Sequence, residues 1–351
     1  ELYGINANKV KKKFISLSQI PPLYPTIMAE IYLWLHLRGD KSALLGANVY
    51  DLDLSKSIDI DGILQASATK EVPVIIQSSF NAIGQYEEEN NQRSWGYLNL
   101  ENGPSKLVNS CIASALKSLF LDGNEPPFYG IGLDHVDSKN DKPAGRANRF
   151  LDLALKTGHI THIVLDGSSL FNAQSRSLET LMEAYKKVAN YEISLLEKNP
   201  SIFLIDLEYC VGEMNYIGDS NTAMIPSRDE IKIFVDILQN ELSKKGHGKY
   251  NCRPSLFIGN VGTTHHSEDS SKIDSSITYS WVEYVKRNNF VSAVLHGTTN
   301  SEINILRKST YGCHKVNVAG DFLNIYVSSL PERFSDKLRI FSAESKYYMK
   351  D

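Results

Sequence analysis

Short runs that are apolar at nearly every position alternate with longer stretches in which apolar residues recur every three or four places. Val-Pro-Val-Ile-Ile at 72–76 and Ile-Phe-Leu-Ile at 202–205 are of the first kind. Such runs have no polar face, so they predict strands covered on both sides, as in a parallel sheet wrapped by helices. The expected strands are Ala43–Val49, Val72–Ser79, Tyr129–His135, His162–Gly167, Ile202–Glu208, Ser255–Thr263, Val291–Gly297 and Lys315–Ala319. Between them the spacing predicts helices over Ile58–Thr69, Lys106–Phe120, Ala144–Lys156, Ser177–Leu196, Arg228–Ser243, Ser276–Asn288 and Glu302–Tyr311, each long enough to cross back over a sheet.

Eight strands alternating with helices point to an α/β fold, a (β/α)8 TIM barrel. A doubly wound open sheet is the competing architecture, but it gathers its ligand at one switch point rather than from many strand ends. Residues 1–40 fall outside the rhythm and are expected to form an N-terminal helical cap, with a basic run at Lys9–Lys13, prolines at 21, 22 and 25, and a helix over Thr26–Arg38. The barrel is assigned to 41–325 and a C-terminal helical tail of the same domain to 326–351, with a polar insertion at Gln85–Pro104.

Composition narrows the function classes modestly. At 351 residues, 42% hydrophobic and 22% charged, the chain reads as an ordinary globular protein, and its net charge of -4 gives no electrostatic reason to expect nucleic acid or an anionic membrane as partner. Cys111, Cys210, Cys252 and Cys313 are scattered with no C-x-x-C pair, so free thiols in a reducing cytoplasm are expected. No apolar run approaches the roughly 20 residues of a membrane helix, and the first residues lack the order of a signal peptide.

The candidate chemistry lies at strand ends. Gly-Leu-Asp-His (132–135), Asp-Leu-Glu (206–208), Gly-Thr-Thr-His-His (262–266) and Leu-His-Gly (295–297) each finish a predicted strand on a potential metal ligand. One histidine alone reads equally well as a buried, hydrogen-bonded imidazole; several delivered to one mouth make a divalent-metal site. Imidazoles with carboxylates suit Zn2+ best, with Co2+, Mn2+ or Fe2+ compatible. Asp134 and His135 are adjacent, so on a regular strand their side chains leave opposite faces; both reach the mouth only if the strand ends there. On its own, Asp134 reads as a carboxylate orienting a ligand histidine. Asp166 is expected to close a turn, with Ser168 or Ser169 capping the next helix.

Val-Pro-Val-Ile-Ile-Gln-Ser-Ser (72–79), Gly-Leu-Asp-His-Val-Asp (132–137), Ile-Val-Leu-Asp-Gly-Ser-Ser-Leu (163–170), Val-Gly-Thr-Thr-His (261–265), Val-Leu-His-Gly (294–297) and Lys-Val-Asn-Val (315–318) follow one another in a telling order. From about residue 43 to 325 the chain resembles the class II, zinc-dependent fructose-bisphosphate and tagatose-bisphosphate aldolases. The resemblance implies reversible aldol cleavage of a ketose, a sugar or sugar phosphate, through an enediolate whose negative oxygen a divalent ion stabilises. It implies His135, His265, His296 and Glu208 as metal ligands, Glu208 at a second position of a mobile ion, with a monovalent cation as a further cofactor. It also implies Asp134 as acid/base and Glu213 as the base that removes the donor proton.

The pattern departs around the substrate. The anion cradle keeps Ser79, Gly297 and Asn317, while Thr298, Thr299 and Gly320 stand in turns where the aldolases carry other residues. His266 takes the place of a usual glycine, leaving open which of His265 and His266 binds metal. Glu268 and Asp269 fall where a phosphate-binding lysine is expected, so either Lys272 supplies that charge or the donor lacks the phosphate. Arg146, Arg149, Arg307, Arg333 and Arg339 could meet a distal phosphate, a contact that can come from a second subunit of a homodimer. Two other readings stand beside the aldolase: an isomerase, epimerase or hydrolase using the same ligands, and a non-catalytic aldolase-like subunit.

Overall fold

The computed structural model describes residues 25, 44–49, 58–70, 72–83, 101–120, 122, 126–138, 141, 144–199, 206–210, 227–245, 255–258, 279, 282–283, 287, 293–295 and 313–318. Eight parallel strands close into a barrel in sequence order: β1 (Leu44–Asn48), β2 (Val74–Ser79), β3 (Tyr129–Asp137), β4 (His162–Asp166), β5 (Asp206–Cys210), β6 (Ser255–Ile258), β7 (Ala293–Leu295) and β8 (Lys315–Val318). β8 pairs with β1, Val316 opposite Leu45, which completes the ring. The TIM-barrel reading therefore holds. The expected N-terminal cap and C-terminal tail, and the helices expected at Thr26–Arg38 and Glu302–Tyr311, lie outside the described residues apart from Pro25.

The helices bounded within the described residues are α1 (Ile58–Lys70), α2 (Phe80–Ile83), α3 (Gly103–Phe120), α4 (Arg146–Lys156), α5 (Leu178–Lys198) and α6 (Arg228–Lys244). α4 buries Ala147, Phe150, Leu151 and Ala154, and α6 buries Ile231, Phe234, Val235 and Leu238, both the i, i+3, i+4, i+7 stripe that a helix presents to a core. α6 starts on a capping box: Ser227 Oγ accepts from the Glu230 N–H, and Glu230 Oε2 accepts from the Ser227 N–H at 2.7 Å. Ser177 caps α5 by accepting from the Thr180 N–H. This corrects the expectation for Ser168 and Ser169, which lie in a separate 3-10 turn over Ser168–Leu170. Tyr185 of α5 packs against Phe234 of α6 with ring centroids 5.7 Å apart and planes tilted by 59°, so neighbouring helices lock to each other as well as to the sheet.

Strand alternation sorts side chains into two cores. Ala47, Val74, Ile76, Ile131, Leu133, Ile163, Leu165, Leu207, Tyr209, Ala293, Leu295 and Val316 point outward and join the apolar layer under the helices. Their neighbours in sequence face the barrel interior; beside the apolar Ile75, Val164 and Val294, that set includes Asn48, Gln77, Asp134, His162, Asp166, Glu208, Lys315 and Asn317, all buried except the half-buried Asn48. A buried polar lumen carries a desolvation cost unless its groups satisfy one another, so its presence already marks the barrel interior as more than packing. Among the described residues no helix is long and apolar enough to cross a membrane.

Candidate active site

The site begins with a fault in β3. Leu133 pairs with Ile163 and Val136 with Leu165, so two residues of β3, Asp134 and His135, occupy the space of one. This is a β-bulge, and His135 takes the left-handed conformation, φ 48°, that the extra residue requires. Leu133 and Val136 both face the outer apolar layer, which places the residues between them on the inner side together. The strand does not end at His135, as adjacency had suggested it must; it bulges there and continues to Asp137. The outcome is a carboxylate and an imidazole side by side at the rim, His135 Nε2 3.9 Å from Asp134 Oδ1.

Asp166 completes the imidazole's setting. Its Oδ2 lies 2.7 Å from His135 Nδ1, while its Oδ1 accepts from the Ser168 N–H at 2.8 Å. Burial alone would raise this carboxyl, but the hydrogen bonds and charge of His135 and the donors of Ser168 outweigh it and hold it at about 2. Asp166 therefore closes the turn, as expected from sequence, and also fixes the ring of His135. A carboxylate on Nδ1 selects the tautomer that presents Nε2 as a ligand, the usual arrangement behind a metal-bound histidine.

Asp134, almost fully buried, is gripped by two amides. Asn48 Nδ2 donates to its Oδ2 at 2.8 Å, and Asn317 Nδ2 reaches Oδ1 at 3.4 Å. Ser79 pairs with Asp134 in the β2–β3 register, and its Oγ accepts from the Ala82 N–H at 3.1 Å, starting α2. Gly46 makes room for this cluster: a Cβ there would strike the Asn317 amide oxygen.

Deeper in the barrel stands a second cluster that sequence reasoning did not find. Lys315 Nζ donates to Glu208 Oε1 at 2.6 Å and lies 2.9 Å from His162 Nε2, which is itself 2.6 Å from Glu208 Oε1. Burial and the Lys315 ammonium push His162 below the ordinary imidazole range, against the opposing pull of Glu208 and Asp134. Strand alternation could have revealed the cluster: Lys315 lies two residues before Asn317, and His162 four before Asp166, so each shares the inner face of its strand. Gln77 was missed for the same reason; it is buried on β2 opposite Gly132, and neither atom of its amide has a hydrogen-bond partner among the described residues.

Of the expected site residues, the structure thus brings together Ser79, Asp134, His135 and Asn317 near the rim and places Glu208 below, with Lys315. Glu213, His265, His266, His296, Gly297, Thr298, Thr299 and Gly320 lie outside the described residues, as do Glu268, Asp269, Lys272, Arg307, Arg333 and Arg339. Arg149 is an exposed surface charge paired with Glu101. Cys111, Cys210 and Cys313 are buried and form no disulfide. Among the described residues no group of three or more His, Cys, Asp and Glu forms a ready metal cage.

No family model matches the chain, and no curated protein matches it in sequence. Solved structures do resemble it. A probable tagatose 6 phosphate kinase from Sinorhizobium meliloti superposes with a TM-score of 0.58 at 10% identity, covering 88% of this chain and 78% of that one. A fructose-bisphosphate aldolase from Campylobacter jejuni gives 0.49 at 17% identity, covering 92% and 81%, and the YdjI aldolase from Escherichia coli K12 gives 0.47 at 13% identity, covering 90% of each chain. The first is a likeness of barrel architecture; the other two, with TM-scores below 0.5, add nothing to it.

Proposed function

We propose that the chain is a metal-dependent enzyme of the class II aldolase kind, making and breaking a carbon–carbon bond in a ketose, a sugar or sugar phosphate. The observation that carries this reading is the bulge at Asp134–His135, with Asp166 behind the imidazole and two amides on the carboxylate. What supports an ion is Asp166 on Nδ1, which leaves Nε2 of His135 as the nitrogen that would coordinate; His296 and His265 or His266 are the expected companions. Zn2+ suits these donors, and an ion bound there would stabilise the negative charge that develops on a substrate oxygen when a proton leaves the neighbouring carbon.

The protein groups would divide the remaining work. Asp134 exchanges a proton with the hydroxyl at the carbon–carbon bond being made or broken; Asn48 and Asn317 hold its oxygens in place, so the carboxylate is oriented before substrate arrives. Ser79, beside Asp134 in register, together with Gly297, Thr298, Thr299 and Gly320, is the expected cradle for the substrate's anionic tail. Glu213 is the expected base at the donor carbon.

The test is an aldol cleavage assay on a panel of phosphorylated and unphosphorylated ketoses, with and without chelator, for the wild type and Asp134→Asn. Chelator-sensitive cleavage is expected, with kcat reduced roughly 10²–10⁴-fold in Asp134→Asn while metal content is retained. Chelator-insensitive cleavage, or protein without zinc after metal loading, would overturn the reading. Turnover of a ketose with no carbon–carbon cleavage would move it to an isomerase or epimerase.

A further inference from the structure

Glu208 was expected to meet a metal ion, yet its carboxylate already has a cation. The Lys315 ammonium sits 2.6 Å from Oε1, both side chains are completely buried, and the His162 imidazole closes on the same oxygen at 2.6 Å. Three side chains from β4, β5 and β8 thus converge on one point inside the barrel, below Asp134. A divalent ion on that oxygen would lie against the Lys315 ammonium, which is buried with it inside the barrel and whose Cε stands so close to Gly46 that a Cβ there would meet it at 3.0 Å. Like charges at such separation in a buried site repel strongly.

We infer that Lys315 is a built-in cation that occupies the interior position of this barrel and keeps divalent ions out of it, so that Glu208 is a counter-ion rather than a metal ligand and ions are confined to the rim at His135. This rests on the proposed function only for the identity of the rim ion; the exclusion of ions from the interior follows from the Glu208–Lys315–His162 cluster. The arrangement has a functional logic. A fixed ammonium neutralises Glu208 without competing for the rim imidazoles, whereas a second mobile ion would draw on the same pool of ligands.

The experiment counts bound zinc by equilibrium dialysis and elemental analysis in the wild type, Glu208→Gln, Lys315→Ala and the double variant, with folding checked by circular dichroism. The wild type is expected to hold one ion, and Glu208→Gln to hold the same number with affinity within about threefold. Lys315→Ala, which leaves a buried carboxylate without its cation and with space beside it, is expected to gain a further, weaker ion that the double variant loses again. A wild type with an interior ion that Glu208→Gln removes, or a Glu208→Gln variant with tenfold or more weakened binding of its ion, would overturn the inference. So would a folded Lys315→Ala protein that gains nothing; if that variant does not fold, the Glu208→Gln comparison decides alone. Should the wild type bind no zinc at all, the rim reading falls, while a Glu208-dependent ion appearing in Lys315→Ala still supports the interior assignment.

Discussion

Asp166 Oδ2 stands 2.7 Å from His135 Nδ1, across the gap between the neighbouring strands β4 and β3. This one bond sets the tautomer of the imidazole and the direction of its other nitrogen.

Replacing Asp166 by Asn keeps the shape and the acceptor for the Ser168 N–H but removes the charge. Zinc affinity is expected to fall about 10–100-fold, read by competition with a chromophoric chelator, with little change in the circular dichroism spectrum. Unchanged affinity would show that His135 is held by something other than this carboxylate.

Gly46 is a packing requirement on the far side of the same site. Gly46→Ala forces the Asn317 amide to shift, and Asn317 is one of the donors on Asp134. Aldol cleavage is expected to lose more in kcat than in KM, because the carboxylate is disturbed while the rim ion is not. A change in KM alone would assign Asn317 to substrate binding instead.

Glu192 of α5 predicts a pH dependence. It is fully buried and its Oε1 accepts from the Gly167 N–H at 3.1 Å; burial pushes its carboxyl well above the usual range, only partly offset by backbone donors of Gly167 and Cys210. A carboxyl that holds its proton more tightly when folded contributes its full stability below the unfolded value near 4.5 and loses it as pH rises from there. Glu192→Gln, which needs no proton, should therefore match the wild type in Tm near pH 4 and exceed it increasingly toward pH 8. A constant offset across that range would refute the assignment.

Gln77 is buried with an amide that has no partner among the described residues, a cost of about 1–3 kcal/mol for such a group. Gln77→Leu, similar in volume and without the unmet groups, is expected to raise the denaturation midpoint while lowering turnover, the pattern of a residue kept for chemistry at the expense of stability. A variant both less stable and fully active would place Gln77 in the structural scaffold.

Strand order, helix stripes and the barrel were legible in the chain because they rest on periodicity: the apolar run at 72–76 and the Phe150–Ala154 stripe announce their partners directly. The acid–imidazole pair was legible as residues but not as geometry. Asp134 and His135 alternate on an ideal strand, and only the bulge, a backbone event with no composition of its own, brings them to one side. The Glu208–Lys315–His162 cluster was hidden for a different reason: its members are 107 and 46 residues apart in the chain, and only barrel closure makes them neighbours. Asp166 was read for its local turn, which is real, while its longer-range bond to His135 needed the β3–β4 register.

The bulge makes the rim depend on a count as well as on identities. Deleting any one residue between Leu133 and Val136 would restore ideal pairing with β4 and leave a smoother strand, yet it would strip the barrel mouth of either its acid or its imidazole. A change that improves the sheet would dismantle this pair, so in this chain the imperfect strand is the one to preserve.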